Sequence, residues 1–333
     1  MPQQPTPELF FETVNAYQRS AALKAAIKLG LFASIGLGKS SVNEMAQAAR
    51  ATERGVRILC DYLVVIGFLA KPGGRYALTP DSAMFLDPRS PAYMGGAVDF
   101  LLDPMISGSF DELESAVRKG GTVNAGGTVA PEHPVWVKFA RAMTPMMALP
   151  AQLMTKFVGG DPTRKLMILD IAAGHGIFGI TLARHCPNAE VVALDWPNVL
   201  EVAKQHAQDA GVLNRYRTLA GNAFDLEYGS GYDIILLTNF LHHFDIPTCE
   251  KLLKKVHAAM NPGGRALTLE FIPNEDRVSP AGSAGFSLTM LATTPSGDAY
   301  TFSELERMFR SAGFSRSELQ QLGPGMQQLI VSQ

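Results

Sequence analysis

Cysteine is scarce: three residues in 333, at Cys60, Cys186 and Cys249, far apart and with no CxxC pair. That excludes a disulfide framework or a zinc ribbon as the organising device and predicts reduced thiols in apolar surroundings. An excess of charge is missing as well, since 29 basic residues face 31 acidic ones. No field exists to draw in nucleic acid or an anionic surface. No run of about 18 apolar residues occurs, and the opening MPQQPTPELF lacks the charged-then-apolar order of a signal peptide, so no membrane partner and a cytoplasmic location are expected. Internal repeats and low-complexity tracts are also absent. What is present is length and 47% hydrophobic residues, enough for more than one core.

Over 7–29, Phe10, Val14, Tyr17, Ala21 and Ala25 recur at helical spacing behind Pro7 and ahead of Gly30, which predicts one long helix. Ser41 with Glu44 forms a capping box before a second helix, and another runs from about Thr52 to Gly67, burying Ile58, Tyr62, Val65 and Ile66. FLAKPGGRYAL then reads as a hairpin. Helices followed by a hairpin are winged-helix-like, but the would-be recognition segment ERGVRILCDYLVVIGF mixes charge with apolar residues, which favours packing against protein over entry into a DNA groove. The glycine-rich stretch 118–131 reads as a mobile surface loop, either a lid or a connector. In the helix PVWVKFARAMTPMMALPAQLM the stripe Trp136, Phe139, Met143, Met146, Met147 suits a core or a ligand pocket.

From Lys165 the texture becomes that of a doubly wound parallel sheet: LMILDIA, AEVVALDW, RYRTLAG, YDIILLTNF and GRALTLEFI, separated by helices or turns. Ligands of such sheets bind beyond the carboxyl ends of the strands, at the first strand-to-helix turn. LMILDIAAGHGIFG (166–179) supplies that turn, with Asp170, Ala172, Gly174 and Gly176 in the order DxAxGxG, unlike the three-glycine GxGxxG of dinucleotide sites. Asp195 closes the next strand, where a carboxylate can accept both hydroxyls of a ribose, and Trp196 beside it offers a flat face to ribose or adenine. In GNAFD, Asn222 could bond an adenine edge while Phe224 packs nearby. Each turn alone is equally a helix cap; three in register point to a nucleoside-bearing ligand.

Together these motifs resemble those of class I S-adenosylmethionine-dependent methyltransferases, and the N-terminal region resembles the dimerisation domain of the caffeate and acetylserotonin type O-methyltransferases. The resemblance spans nearly the whole chain: LDIAAGHG stands for the LDVGGGTG motif, ALDWPNVLEVA for the acidic ribose motif and NPGGRALTLEFI for the late strand motif. It implies a Rossmann-like, mostly parallel seven-stranded sheet behind a winged-helix-like dimerisation domain, with divisions at 1–100, 101–157 (a helical connector) and 158–333. It further implies S-adenosylmethionine as cofactor, a homodimer, and cofactor contacts from Asp170, Ala172, Gly174, Gly176, Asp195, Trp196, Asn222, Ala223, Phe224 and Asn239. Ala172 replaces a glycine of the family pattern, and Asn222 an aspartate.

TNFLHHFDIP carries adjacent histidines. Neighbouring side chains point apart and no ligand set with metal spacing accompanies them, so no metal is expected. The family pattern LHDW maps its catalytic base onto His242 and its aspartate onto His243. A phenol ionises near pH 10, whereas a histidine side chain, with an unperturbed pKa of about 6.5, can take its proton near neutrality. The same LHH sequence also occurs where the histidine only braces the cofactor pocket, and both roles stay open for His242. Glu270 corresponds to a glutamate that orients the base; the family's second such glutamate is Ala299 here. The resemblance puts Phe139, Met143, Met147, Phe286 and Met290 around a small apolar or aromatic acceptor. The expectation is O-methylation of an aromatic or polyketide-like hydroxyl. A carbon or nitrogen methyltransferase, a non-methylating enzyme of the same fold and a DNA-binding metabolite sensor are the alternatives.

Overall fold

Proline and glycine bracket the first helical stretch as their backbone preferences require, with Gly30 at φ 65°, but the helix is not continuous. It is two helices, Glu8–Val14 and Ala16–Lys28, divided at Asn15. The Asn15 side chain donates to the Phe11 carbonyl at 2.8 Å, a local bond that competes with the helical ladder. The computed structural model describes residues 4–159, 163–323 and 325–333. It forms two compact units, one ending at Leu102 and the other running from Asp103 to Gln333, so the segment expected to be a connector lies within the second unit from Asp103 onward.

In the first unit the Ser41–Glu44 capping box forms at the head of the helix Val42–Ala49, and Thr52 caps the helix Glu53–Val65. The buried stripe of that last helix is Val56, Cys60 and Leu63. Sequence periodicity picked the wrong stripe: Ile58 and Val65 are exposed, Tyr62 and Ile66 only partly buried. Two apolar stripes run along this helix, and Val56, Cys60 and Leu63 are the ones that join Phe32, Met45 and Tyr76 in the core. The hairpin forms from β1 (Leu69–Ala70) and β2 (Ala77–Leu78). The helix Glu8–Val14 buries none of its residues.

In the second unit the methionine-rich stretch is likewise two helices, Val135–Ala142 and Thr144–Met154, because Pro145 brings no N–H to continue the first. The sheet strands follow: β3 (Leu166–Ile171), β4 (Ala189–Asp195), β5 (Tyr216–Ala220), β6 (Tyr232–Thr238), β7 (Met260–Glu270), β8 (Ser317–Gln320) and β9 (Gln328–Ser332). Their order is β5-β4-β3-β6-β7-β9-β8, parallel through β7 and antiparallel at β9 and β8. Chain order reverses between β3 and β6, which is where such sheets open a crevice for a ligand. Register aligns the two strand ends there, Ile171 beside Leu237, and Thr238 beside Leu269 of β7. The glycine turn, the histidine pair and Glu270 are thus gathered at one edge by strand pairing alone.

The stretch 118–131 is docked and is not a free surface loop. Thr122 N–H donates to the Thr294 carbonyl at 2.8 Å, and the Thr128 hydroxyl donates to the Thr293 carbonyl at 3.2 Å. Gly121 and Gly127 sit where any side chain would overlap the carbonyls of Pro295 and Thr293, so its glycines serve close approach. All three cysteines are buried and unpaired, and burial raises the Cys60 thiol to about 11, which makes it unreactive. No helix among the described residues is long and apolar enough to cross a membrane.

Candidate active site

The turn after β3 is built on positive φ angles: 54° at Ala172, 58° at Gly174 and 73° at Gly176. Ala172 tolerates the left-handed region at some cost, whereas Gly176 is also required by space and a side chain on Gly174 would press on its neighbour. A side chain on Gly176 would come within 2.5 Å of the Tyr216 hydroxyl, and one on Gly174 within 3.3 Å of the Phe139 ring. Asp170 is fully buried; its Oδ2 accepts the Gly179 N–H at 3.1 Å, capping the helix Ile177–His185, while Oδ1 has no partner among the described residues. Burial raises its carboxyl to about 7.

Asp195 accepts the Gly174 N–H at 2.7 Å through Oδ2 and the Trp196 N–H at 2.7 Å through Oδ1, so the second strand end holds the glycine turn in place. Its carboxyl is raised to about 6, again by burial. Trp196 packs with Ala140, Val199 and Val202. At the third turn Asn222 engages its own loop: Oδ1 accepts the Phe224 N–H and Nδ2 donates to Asp225. Phe224 joins Phe240 and Phe244 in an aromatic cluster. Lys255 fixes this loop from below, donating to the carbonyls of Phe224 and Leu226 at 2.8 and 2.9 Å, with Ala223 O at 3.4 Å.

Beyond β6, Asn239 takes φ 57° and starts the turn that presents the histidines. His242 Nδ1 lies 2.5 Å from Glu270 Oε2. The other oxygen of Glu270 accepts the N–H groups of Phe240 and Leu241 at 3.0 and 2.8 Å. These bonds fix the Glu270 carboxyl in place, and its Oε2 accepts from His242 Nδ1–H, the tautomer that leaves the ring's lone pair on Nε2. His243 is buried edge-on to Trp136, and its Nδ1 has no partner among the described residues. Desolvation and the neighbouring His242 ring keep it well below the ordinary histidine range, hence neutral.

On the acceptor side, Phe286 meets the His242 ring at 4.9 Å and stacks on Phe271 at 3.9 Å, and the Met147 sulfur accepts from Asn239 Nδ2 at 3.7 Å. Met143 and Met290 are buried. Phe139 lies over the glycine turn, stacked on His175. Ala299, at the position of the family's second glutamate, is fully buried. Sequence reasoning passed over His175, which stands in plain sight between the two glycines, and Gln327, which donates to Asn239 Oδ1 from 88 residues away. For Gln327 no local signal existed. Among the described residues no group of three or more His, Cys, Asp or Glu side chains could hold a metal ion.

Residues 114–315 match the O-methyltransferase domain, and residues 11–88 match the O-methyltransferase dimerisation domain. The chain belongs to the O-methyltransferase family. Among relatives, the 3-hydroxy-5-methyl-1-naphthoate 3-O-methyltransferase of Streptomyces sahachiroi is 29% identical over 93% of this chain and 90% of its own length. A solved chain from Nostoc punctiforme assigned to the O-methyltransferases is 55% identical over 99% of both chains, with a TM-score of 0.96. Human N-acetylserotonin methyltransferase in complex with S-adenosylmethionine shares the fold at a TM-score of 0.83 and 22% identity, over 100% of this chain and 99% of that one. This O-methyltransferase is S-adenosylmethionine-dependent. Its strand ends suit that cofactor: a buried carboxylate oxygen on Asp170 lacks a partner among the described residues, and the turn holds left-handed glycines at 174 and 176.

Proposed function

We propose that this O-methyltransferase methylates a hydroxyl on a small aromatic or polyketide-like acceptor, with His242 as the general base. The observation that carries the proposal is the buried His242–Glu270 pair at 2.5 Å, whose carboxylate is tied to two backbone N–H groups. S-adenosylmethionine, when bound, supplies an electrophilic methyl group on its sulfonium sulfur. Asp170, Ala172, Gly174 and Gly176 hold its amino-acid end, Asp195 and Trp196 its ribose, Asn222, Ala223 and Phe224 its adenine, and Asn239 closes the set. His242 Nε2 takes the proton of the acceptor hydroxyl, and Glu270 stabilises the resulting imidazolium. With the second glutamate replaced by Ala299, Glu270 carries that task alone.

Phe286, Met143, Met147 and Met290 offer the acceptor an apolar surface without a cation, which suits a flat neutral ring better than an acid. The 3-hydroxy-5-methyl-1-naphthoate named for the Streptomyces sahachiroi relative shares the aromatic ring and its hydroxyl but adds a carboxylate, for which these four residues offer no cation. Incubation with S-adenosylmethionine and a panel of phenols and naphthols, followed by NMR of the product, tests the reading. Methyl on oxygen is the expected result; methyl on carbon or nitrogen overturns it.

The first unit supports a homodimer. Leu9, Phe10, Phe11 and Val14 on the helix Glu8–Val14, together with Ile58 and Val65, leave more apolar surface in water than a single copy would ordinarily expose.

A further inference from the structure

We infer that His175 is a cofactor-binding residue, donating its Nε2–H to the α-carboxylate of S-adenosylmethionine. The inference rests on the cofactor lying at the turn after β3, as proposed above. That cofactor carries an anionic carboxylate as well as cationic groups. The residues assigned to it there include two aspartates and no lysine or arginine, so a donor for the carboxylate has to be found. The helix Ile177–His185 supplies little of this, because two of its first three N–H groups are engaged, Ile177 by His175 Nδ1 at 3.2 Å and Gly179 by Asp170, which leaves only that of Phe178.

The Ile177 bond fixes the tautomer. An Nδ1 that accepts leaves the ring proton on Nε2, so His175 presents one N–H donor. That donor is buried and has no partner among the described residues. Unmatched buried donors are uncommon in native proteins and call for an explanation at each site. The ring is also immobilised: Phe139 stacks on it at 5.5 Å and 21°, Phe178 lies against it at 5.9 Å, and His206 Nδ1 donates to the His175 carbonyl at 2.9 Å. Burial, with a smaller contribution from His206, lowers the imidazole to about 3, so it stays a neutral donor at every working pH. Its neighbours in sequence are the two glycines of the cofactor turn.

Calorimetry of S-adenosylhomocysteine against its decarboxylated analogue, which keeps the amine, isolates the carboxylate. In the wild type the decarboxylated ligand should bind about tenfold or more weakly, the scale of a hydrogen bond to a charged group. His175→Phe keeps the aromatic stack and removes the donor: it should weaken S-adenosylhomocysteine by a similar factor, leave the decarboxylated ligand unchanged, and be partly rescued in His175→Gln. Equal weakening of both ligands makes His175 a packing residue and overturns the inference, as does equal wild-type affinity for the two ligands, a test that needs no variant. If the wild type binds neither ligand, or if Gly174→Val leaves binding intact, the cofactor lies elsewhere and the underlying placement fails first.

Discussion

Glu270 Oε2 stands 2.5 Å from His242 Nδ1, at the end of a strand paired with β6 as far as Leu269, which lies beside Thr238. The pair is therefore rigid before any acceptor arrives. Glu270→Gln keeps an acceptor for the N–H groups of Phe240 and Leu241 but replaces the carboxylate that orients His242. Turnover should fall by ~10² with cofactor affinity nearly unchanged, and His242→Ala should fall at least as far. Steady-state kinetics beside calorimetric titration with S-adenosylhomocysteine measure this. A parallel loss of cofactor affinity would recast His242 as a brace for the cofactor pocket.

Cofactor binding should release protons. Asp170 and Asp195 are raised by burial to about 7 and about 6 in the free protein, so both are partly protonated near pH 6. A cationic cofactor with ribose hydroxyls favours their ionised forms, and affinity should rise between pH 5.5 and 8. The sign for stability runs the other way in the free protein. A carboxyl raised above its ordinary 3.8 stabilises most fully below that value and loses the contribution as pH rises through 6 to 7. S-adenosylhomocysteine should accordingly raise the melting temperature more at pH 8 than at pH 5.5, and titration in buffers of different ionisation enthalpy counts the protons. In Asp195→Ala the affinity should drop and part of the pH dependence disappear.

Gly297 is a steric test of the histidine turn. A Cβ there would overlap the His242 carbonyl oxygen, and its N–H is already fixed by the Thr294 hydroxyl at 2.8 Å. Gly297→Ala must push the turn aside, and displacements of this size cost roughly tenfold to 10² in rate. Turnover should fall while S-adenosylhomocysteine still binds, as measured by the same pair of assays.

Light scattering should give twice the 35.9 kDa chain mass at micromolar concentration. Phe10→Asp with Val14→Asp alters one face of a helix that buries nothing within its own chain. The double variant should shift the mass toward 35.9 kDa while far-UV circular dichroism stays unchanged. An unchanged mass would move the interface to another surface.

Much of the site was readable without coordinates because local rules act over a few residues. Glycines at 174 and 176, an aspartate within the last two residues of each of two strands, and caps at Ser41 and Thr52 are dictated by φ preferences and by side chains that bond their own turns. Asp170, Asp195, His242 and Glu270 lie at the carboxyl edge of the sheet for the same reason: each falls in the last two residues of a strand or follows one.

What tertiary structure alone decided is which of several locally equivalent choices is used. The helix Glu53–Val65 carries two apolar stripes, and only packing selected Val56, Cys60 and Leu63 over Ile58 and Val65. The glycines of 118–131 predicted freedom, yet Gly121 and Gly127 permit the backbone to lie against Pro295 and Thr293. Phe139, on the methionine-rich stretch, stacks on His175 at the glycine turn, and Gln327 joins Asn239 across 88 residues. Period and propensity describe one element at a time. Partners brought together by strand order, and the burial that raises Asp170 and neutralises His175, exist only once the sheet has closed around them.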